Sequence, residues 1–443
     1  MVTATPKPTA APNTKSPAER RKAKKATAVA AFGTFIEYYD FSVYGYIAVT
    51  LSLLFFPNDN PTISLLNTML VFGAAFVVRP LGAIFFGHIA DRQGRRTALV
   101  ASIVLMCLAA GLTGMLPTYG QIGVLAPVFL VILRMLQGFS AGGEIGGASS
   151  YIHEWAEPSK RALYVSLIPS VAVFGKAAAA AVAALAASLM PTDVMNSWGW
   201  RLPFILAVPL GLLCLYLRLR VEDSPEFQHL QQDEKTSDRP FTRMLREHGR
   251  SLAKVVSIAT VQSVGTYIGT VFVASYLSVV LGFSKGEAAV IVLVATVFAA
   301  FLIMGSGYLG ARIGSKHLLT VAYVCYLVTI VPTFLLMDMG STGLAMLALS
   351  VSMIPYAICQ AGTYSILPEF FPVEVRSSGV SFGHSIGAVI GGGAGPYFAT
   401  WLIDVTGNTM VPAYILVVFA AAGLLIVNTL VHPNADEHVH KFR

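Results

Sequence analysis

Twelve long apolar segments, separated by short polar breaks, dominate the 443-residue sequence. Each is long enough to cross a bilayer as a helix, which takes about 20 apolar residues. Because the bilayer core holds no water to satisfy backbone groups, only helices and closed barrels span it. The pattern therefore predicts an all-α membrane protein with twelve transmembrane helices. These are placed at 28–56, 64–89, 97–117, 122–153, 162–190, 199–220, 253–281, 287–311, 317–338, 342–367, 376–404 and 411–431.

A charged stretch divides the apolar segments into two sets of six. It covers residues 221–252 and lacks a long apolar run, so it is predicted to link two six-helix halves, 28–220 and 253–431. Residues 1–27 and 432–443 are predicted to be tails. The first tail is rich in Pro, Thr, Ala and Lys, and we expect it to be disordered.

The basic residues indicate how the chain is oriented. All but five of the 30 Lys and Arg residues lie in the tails or in loops after even-numbered segments. Loops rich in Lys and Arg stay in the cytoplasm. A multi-pass protein of the inner (plasma) membrane is therefore expected, with the linker and both termini cytoplasmic.

The composition excludes several classes of protein. Only 12% of residues are charged, against about 25% in soluble domains. A nucleic-acid-binding domain and most soluble enzymes are therefore excluded, and the net charge of +7 reflects membrane orientation. The expected partners are the lipid bilayer and a small-molecule metabolite, with no nucleic acid.

One loop sequence occurs twice. Gly87–Leu99 follows the second segment, and Gly307–Leu319 follows the eighth; Gly, Arg, Gly and Leu match in register. Equivalent loops on the same side of the membrane indicate a parallel duplication, which is a transporter architecture.

Charged residues inside the apolar segments are the candidate functional groups, because charge in a bilayer is costly. Helical spacing places Glu37 and Asp40 on one stripe with Gly33 and Tyr44, and we expect this stripe to face the bundle interior. Static ion pairs that only hold helices together are the alternative: Asp40 with Arg134, Arg79 with Glu37 or Asp40, and Lys176 with Glu144. The six charged residues are Glu37, Asp40, Arg79, Arg134, Glu144 and Lys176.

Several of these stretches together resemble the major facilitator superfamily. The loop Gly87–Leu99 and the run Arg134-Met-Leu-Gln137-Gly138 resemble its signatures. Further stretches resemble its metabolite–proton symporter branch: Glu37–Phe41, Gly142–Gly147, Trp198–Phe204 and Pro368–Gly379. The resemblance implies two parallel six-helix repeats that function as a monomer. Relatives in that branch import carboxylates such as citrate, 2-oxoglutarate and shikimate, or zwitterions such as proline and betaine.

The resemblance also implies roles for individual residues. Asp40 matches a proton-carrying acid, with Arg134 as its partner, and Glu37 and Glu144 are further proton-coupling candidates. The loop is implied to latch the two halves together on the cytoplasmic side, where Asp91 would meet the start of the eleventh helix. The latch candidates are Gly87, Asp91, Arg92, Gly94, Arg95, Arg96 and Arg376.

Candidates for substrate binding follow from charge and position. Arg79 and Lys176 are fixed cations that could hold a carboxylate. Tyr44, Gln137 and His384 complete the predicted set. Lys176 and His384 depart from the pattern of relatives, as does Ala311 in the second loop, and this leaves the substrate open.

A proton-coupled importer that works by alternating access is thus the favoured function. Proton-driven efflux and a non-transporting membrane sensor are the alternatives. A membrane enzyme would need a nucleophile–base or metal cluster, and the sequence has none. No metal is expected, and no cofactor other than the proton as coupling ion.

Overall fold

The computed structural model describes residues 17–59, 61–157, 160–232 and 240–431, and these contain helices but no β-strand. We number the twelve long helices of the described residues α1 to α12. They are Pro17–Tyr46, Pro61–Gln93, Arg95–Met115, Leu125–Trp155, Arg161–Ala186, Gly199–Leu219, Gly249–Val280, Lys285–Ile313, Ser315–Asp338, Thr342–Phe370, Val373–Thr406 and Val411–Leu430. Short helices at Ala48–Phe55, Pro225–Gln232 and Pro240–Glu247 lie between them.

Helix α1 differs from the other eleven long helices, which are all apolar enough to cross a membrane by length and composition. It carries three acids and five basic residues, all five within Pro17–Lys25, yet it packs against α4, α5 and α6 inside the first half. The predicted all-α architecture is confirmed. The predicted disorder is wrong for residues 17–27, which form the first turns of α1. The tails 1–16 and 432–443 lie outside the described residues.

The start of α1 is helical because its sequence and its surroundings both favour a helix. Ala, Lys and Arg are strong helix formers, and Glu19 lies in the first turn, where the helix dipole favours an acid. Lys22 donates to Glu222 at 2.9 Å, and Arg20 pairs with Glu157 at 2.9 Å. The first predicted segment, 28–56, is not one continuous helix, because α1 ends at Tyr46 and a separate short helix, Ala48–Phe55, follows Ile47.

The duplication predicted from the repeated loop is present in the backbone. Gly94 connects α2 to α3 with φ of 112°, and Gly314 connects α8 to α9 with φ of 84°. Both values lie where a residue with a side chain is strained, so glycine permits the same tight turn in each half.

Close helix packing sets the position of α4. A Cβ atom built on Gly138 would lie 2.0 Å from the Ala75 carbonyl oxygen, and one on Gly142 would lie 2.1 Å from that of Arg79. Glycine therefore brings the backbones of α2 and α4 into contact, as small residues do in membrane helices. This contact holds Arg134, Gln137 and Glu144 of α4 inside the first half.

The two halves meet along several helices. Helices α2 and α4 pack on α11, and α5 packs on α8. The Phe76 ring lies 5.1 Å from the Tyr267 ring, edge to face, so an aromatic contact joins α2 to α7. The candidate site lies in this boundary and in the adjoining first half.

Candidate functional site

A hydrogen-bonded chain of three side chains connects α1 to α4. Arg134 Nη1 donates to the side-chain oxygen of Gln137, Oε1, at 2.8 Å. Gln137 Nε2 donates to both Asp40 oxygens, at 2.8 and 3.1 Å. All three residues are buried. The predicted partners Asp40 and Arg134 are therefore linked, but Gln137 stands between them, and no direct ion pair forms in this conformation.

Aromatic rings surround the arginine of this chain. The Arg134 guanidinium carbon lies 4.3 Å from the Tyr44 ring centroid and 4.7 Å from that of Phe41. Such contacts hold a cation without neutralising it. The Tyr44 hydroxyl donates to the Thr68 carbonyl at 3.1 Å. Tyr44, predicted to bind substrate, thus lies against Arg134 and joins α1 to α2.

Glu144 forms an ion pair that the sequence analysis did not predict. The Arg218 guanidinium, near the end of α6, donates to both Glu144 oxygens and to the Leu99 carbonyl. Ser102 also donates to Glu144, at 2.9 Å. The alternative in which Lys176 pairs with Glu144 is therefore wrong.

Gly33 makes room for the Arg218 guanidinium. A Cβ atom built at Gly33 would overlap the Arg218 side chain. The stripe of Gly33, Glu37, Asp40 and Tyr44 is buried throughout, as predicted. Arg218 stands at the end of an apolar segment, where a basic residue ordinarily marks the membrane surface, so its spacing in the sequence did not reveal this role.

Glu37 has no hydrogen-bonding partner on either carboxylate oxygen among the described residues. Its charged neighbours are Glu144, Arg79, Arg218 and Asp40. A buried carboxyl without a partner is costly when ionised. The alternative in which Arg79 pairs directly with Glu37 is therefore wrong.

Arg79 lies against two aromatic rings. Its guanidinium carbon is 4.4 Å from the Phe41 ring centroid and 4.6 Å from that of Phe76. Tyr267 of α7 is a further electrostatic neighbour. Arg79 does not line the cavity described next, and its predicted contact with substrate stays a prediction.

A small cavity lies between the two halves. Tyr38 of α1 and Lys176 of α5 line it from the first half, and Tyr267, Tyr364 and His384 line it from the second. The structure thus brings two predicted substrate-binding residues, Lys176 and His384, to one cavity.

A second group of contacts joins the halves at the end of the bundle where the basic loops lie; we call this the basic end. Asp91 accepts hydrogen bonds from the amides of Ser377, at 3.2 Å, and Ser378, at 2.8 Å, at the start of α11. The dipole of a helix favours an acid at this position. Gly87 allows the approach, because a Cβ there would lie 2.9 Å from the Ser378 Cα.

Two arginines of the predicted latch converge on an acid that sequence reasoning missed. Glu154, at the end of α4, accepts from Arg95 at 3.1 Å and from Arg376 at 3.3 Å. Arg95 also donates to Asp91, at 2.8 Å, and to the Val373 carbonyl, at 2.7 Å. Arg95 of the first half thus bonds directly to the second half.

The linker takes part in these contacts. Asp223 accepts from the backbone amides of Arg95, at 3.0 Å, and Arg96, at 3.3 Å, at the start of α3. Burial raises the pKa of the Asp223 carboxyl, although these amide bonds oppose the shift. Glu226 accepts from Arg376 at 2.9 Å. The beginning of the linker, at residues 223–226, is therefore packed onto the bundle, which the sequence analysis did not predict.

The remaining latch candidates have different surroundings. The Arg96 side chain donates to the Arg218 and Leu219 carbonyls, within the first half. Gly94 lies against Asp223. Arg92 is exposed.

Comparison with known proteins identifies the family to which this helical architecture belongs. The model of the Major Facilitator Superfamily matches residues 30–396. The chain belongs to the major facilitator superfamily. It is therefore a multi-pass membrane transporter and not an enzyme, as the sequence analysis predicted.

Individual relatives agree with this superfamily assignment and with its predicted metabolite-transporting branch. The chain is 33% identical to the glycine betaine/proline/ectoine/pipecolic acid transporter OusA of Dickeya dadantii, over 91% of this chain and 82% of the relative. It is 32% identical to the inner membrane metabolite transport protein YhjE of Escherichia coli, over 92% and 93%. The fold is similar to that of the proton:xylose symporter XylE, with a TM-score of 0.78, 17% identity, and 93% and 95% of the two chains covered.

In this transporter, Asp91→Asn is expected to shift the resting population toward conformations with an open basic end. Asparagine lacks the negative charge that interacts favourably with the dipole at the start of α11. This charge–dipole interaction contributes up to about 2 kcal/mol. The ratio of the two states should change several-fold or more. Distances between spin labels across the basic end would measure the shift.

Asp223→Asn is the matched control. Asp223 also accepts from amides at a helix start, but that helix is α3 of the first half, and Asp223 lies in the linker just after α6 of the same half. We expect it to leave the state populations near those of the wild type. Equal shifts in both variants, or none in Asp91→Asn, would contradict the role of Asp91 as a latch between halves.

Proposed function

We propose that this transporter imports a small organic acid or zwitterionic metabolite together with a proton, as a monomer and by alternating access. The chain Asp40–Gln137–Arg134 is the observation that supports coupling. Its three members are buried and connected, and Asp40 is the only one whose side chain can exchange a proton, because the glutamine amide does not titrate and the arginine stays protonated.

The amide of Gln137 suggests how proton binding acts at a distance. An ionised Asp40 is purely an acceptor, and an arginine is purely a donor, so one amide satisfies both. A protonated Asp40 loses its negative charge, and one of its oxygens becomes a donor while the other can still accept from Gln137. The electrostatic attraction that Asp40 exerts on Arg134 through Gln137 is then weaker, which favours movement of α4 relative to α1.

The second part of the proposal concerns the substrate. The cavity lies between the halves, and Lys176 supplies a positive charge for a carboxylate. The named relative OusA transports glycine betaine, proline, ectoine and pipecolic acid, each of which carries a carboxylate. Arg79 and His384 are proposed to support binding from beside this lysine.

The third part concerns orientation in the inner membrane. The basic residues at the ends of α2, α4 and α6 lie on one side of the bundle with the start of α1. By the positive-inside rule this side faces the cytoplasm. The Asp91 contact then closes the cytoplasmic exit while the halves are latched.

Uptake into reconstituted vesicles would test the proposal. The panel contains glycine betaine, proline, citrate and 2-oxoglutarate, each with and without an alkaline interior. We expect at least one compound to accumulate above its external concentration only when the pH gradient is present. Uptake that is independent of the gradient for every compound would contradict proton coupling.

A further inference from the structure

We infer that the cavity selects an organic anion over a betaine, because Lys176 occupies the position in which a betaine's ammonium group would bind. This inference rests on the proposed transport function and narrows its substrate class. It follows from the placement of one side chain among aromatic rings and from the charges around the cavity.

The Lys176 ammonium lies between two tyrosine rings from opposite halves. Its Nζ atom is 5.4 Å from the Tyr38 ring centroid and 5.5 Å from that of Tyr267. Rings at such distances attract cations, and clusters of them are how proteins recognise quaternary ammonium ligands. Here the chain's own ammonium fills that position.

The charge on Lys176 is not neutralised by a protein carboxylate. No acid among the described residues lies at ion-pairing distance from it, and its charged neighbour is Arg79, another cation. The residues that line the cavity include no Asp or Glu. The lining therefore offers positive charge to a ligand and no carboxylate to an ammonium group. The acid nearest to this wall is Glu37, which lies outside the lining and is an electrostatic neighbour of Tyr38, Tyr267 and Tyr364.

The wall of the cavity formed by the second half is polar but neutral. Gln360 Nε2 donates to the Tyr356 hydroxyl at 2.8 Å and to the Thr266 hydroxyl at 3.2 Å. Gln262 donates to Gln360. These groups already satisfy one another, so they cannot replace a carboxylate as the partner of a ligand's ammonium.

A zwitterion and an organic anion differ in how they fit this arrangement. Both place a carboxylate near Lys176. The zwitterion also brings its ammonium group toward two fixed cations, Lys176 and Arg79. The position between the two tyrosine rings is already occupied by Lys176, so the ligand's ammonium group lacks the aromatic contact that would offset this repulsion. An anion of the same shape has no such conflict.

A pair of isosteric ligands tests the inference without transport. Glycine betaine and 3,3-dimethylbutanoate have the same shape, and only the first has a positive charge. Equilibrium binding to the purified full-length protein is measured for both ligands. We expect the wild type to bind 3,3-dimethylbutanoate at least tenfold more tightly than glycine betaine.

Substitution of the lysine supplies the second arm of the experiment. Lys176→Met removes the charge, and its side chain, which is one atom shorter, frees the Nζ position between the rings. It should weaken anion binding at least tenfold and improve betaine binding, whereas Lys176→Arg keeps the charge and should retain the preference for the anion. If Lys176→Arg retains the preference for the anion, the effect of Lys176→Met is caused by the loss of the positive charge.

Two results would overturn the inference. The first is a wild type that binds the anion no better than betaine, including binding of neither. The second is an unchanged preference in Lys176→Met. Neither result bears on proton coupling, because binding is measured without a pH gradient. Failure of every compound to respond to a pH gradient would instead count against the proposed function.

Discussion

Arg218→Met should lower the free energy of unfolding by about 3–5 kcal/mol, the usual cost of removing one partner from a buried ion pair. The substitution leaves Glu144 buried, with only the Ser102 hydroxyl still donating to it. It also removes the donor to the Leu99 carbonyl. Unfolding of the detergent-solubilised protein, followed by circular dichroism in denaturant, would measure the loss.

Two variants give this prediction its controls. Arg220→Met removes a nearby exposed arginine that stacks on Tyr216, with 4.2 Å between guanidinium and ring, and should change stability by less than about 0.5 kcal/mol. The double variant Arg218→Met with Glu144→Gln should recover most of the loss, because no unpaired charge remains. A double variant as unstable as the single one would contradict the ion-pair explanation.

Asp40→Asn is expected to abolish accumulation driven by a pH gradient while leaving exchange of substrate intact. Asparagine cannot ionise, so it resembles the protonated acid. With one proton per substrate, a gradient of one pH unit supports about tenfold accumulation in the wild type. In Asp40→Asn the ratio of internal to external substrate should fall to about one.

Glu37→Gln is the comparison for this variant. Both acids are buried on α1, but only Asp40 has a hydrogen-bonding partner on another helix. We expect Glu37→Gln to retain accumulation. If Asp40→Asn still concentrates substrate and Glu37→Gln does not, the proton is carried by Glu37. Loss of exchange in Asp40→Asn would instead indicate a defect in binding.

Much of the fold follows from patterns of a few residue types. Apolar segments longer than a bilayer is thick must be helices, and the repeated glycine at 94 and 314 shows where the duplicated halves turn. The charges on α1 and α4 were visible because a bilayer makes any charge conspicuous. Helical spacing then placed Glu37 and Asp40 on one buried face.

The partners of these charges were harder to predict. Residues 134 and 137 share a face of α4 because they are one turn apart, and the spacing alone does not say which of them bonds to Asp40. Arg218 and Glu154 stand at segment ends, where charged residues are ordinarily solvated. Only the packing of α6 beside α1, and of the linker under α4, shows that both are buried.

The beginning of α1 illustrates a different limit. Its composition resembles that of a disordered basic tail, yet residues 17–27 are helical. Composition describes the segment in isolation. The contacts of Arg20 with Glu157 and of Lys22 with Glu222 depend on the folded positions of the α4 end and the linker.

The direction of proton movement tests the central claim most directly. Vesicles with a weakly buffered interior, containing the purified protein and a pH-sensitive dye, receive the best-transported compound of the uptake panel from outside with no imposed gradient. Proton-coupled import predicts that the interior becomes more acidic with the wild type and stays unchanged with Asp40→Asn. No pH change with the wild type, or an interior that becomes more alkaline, would contradict import with a proton.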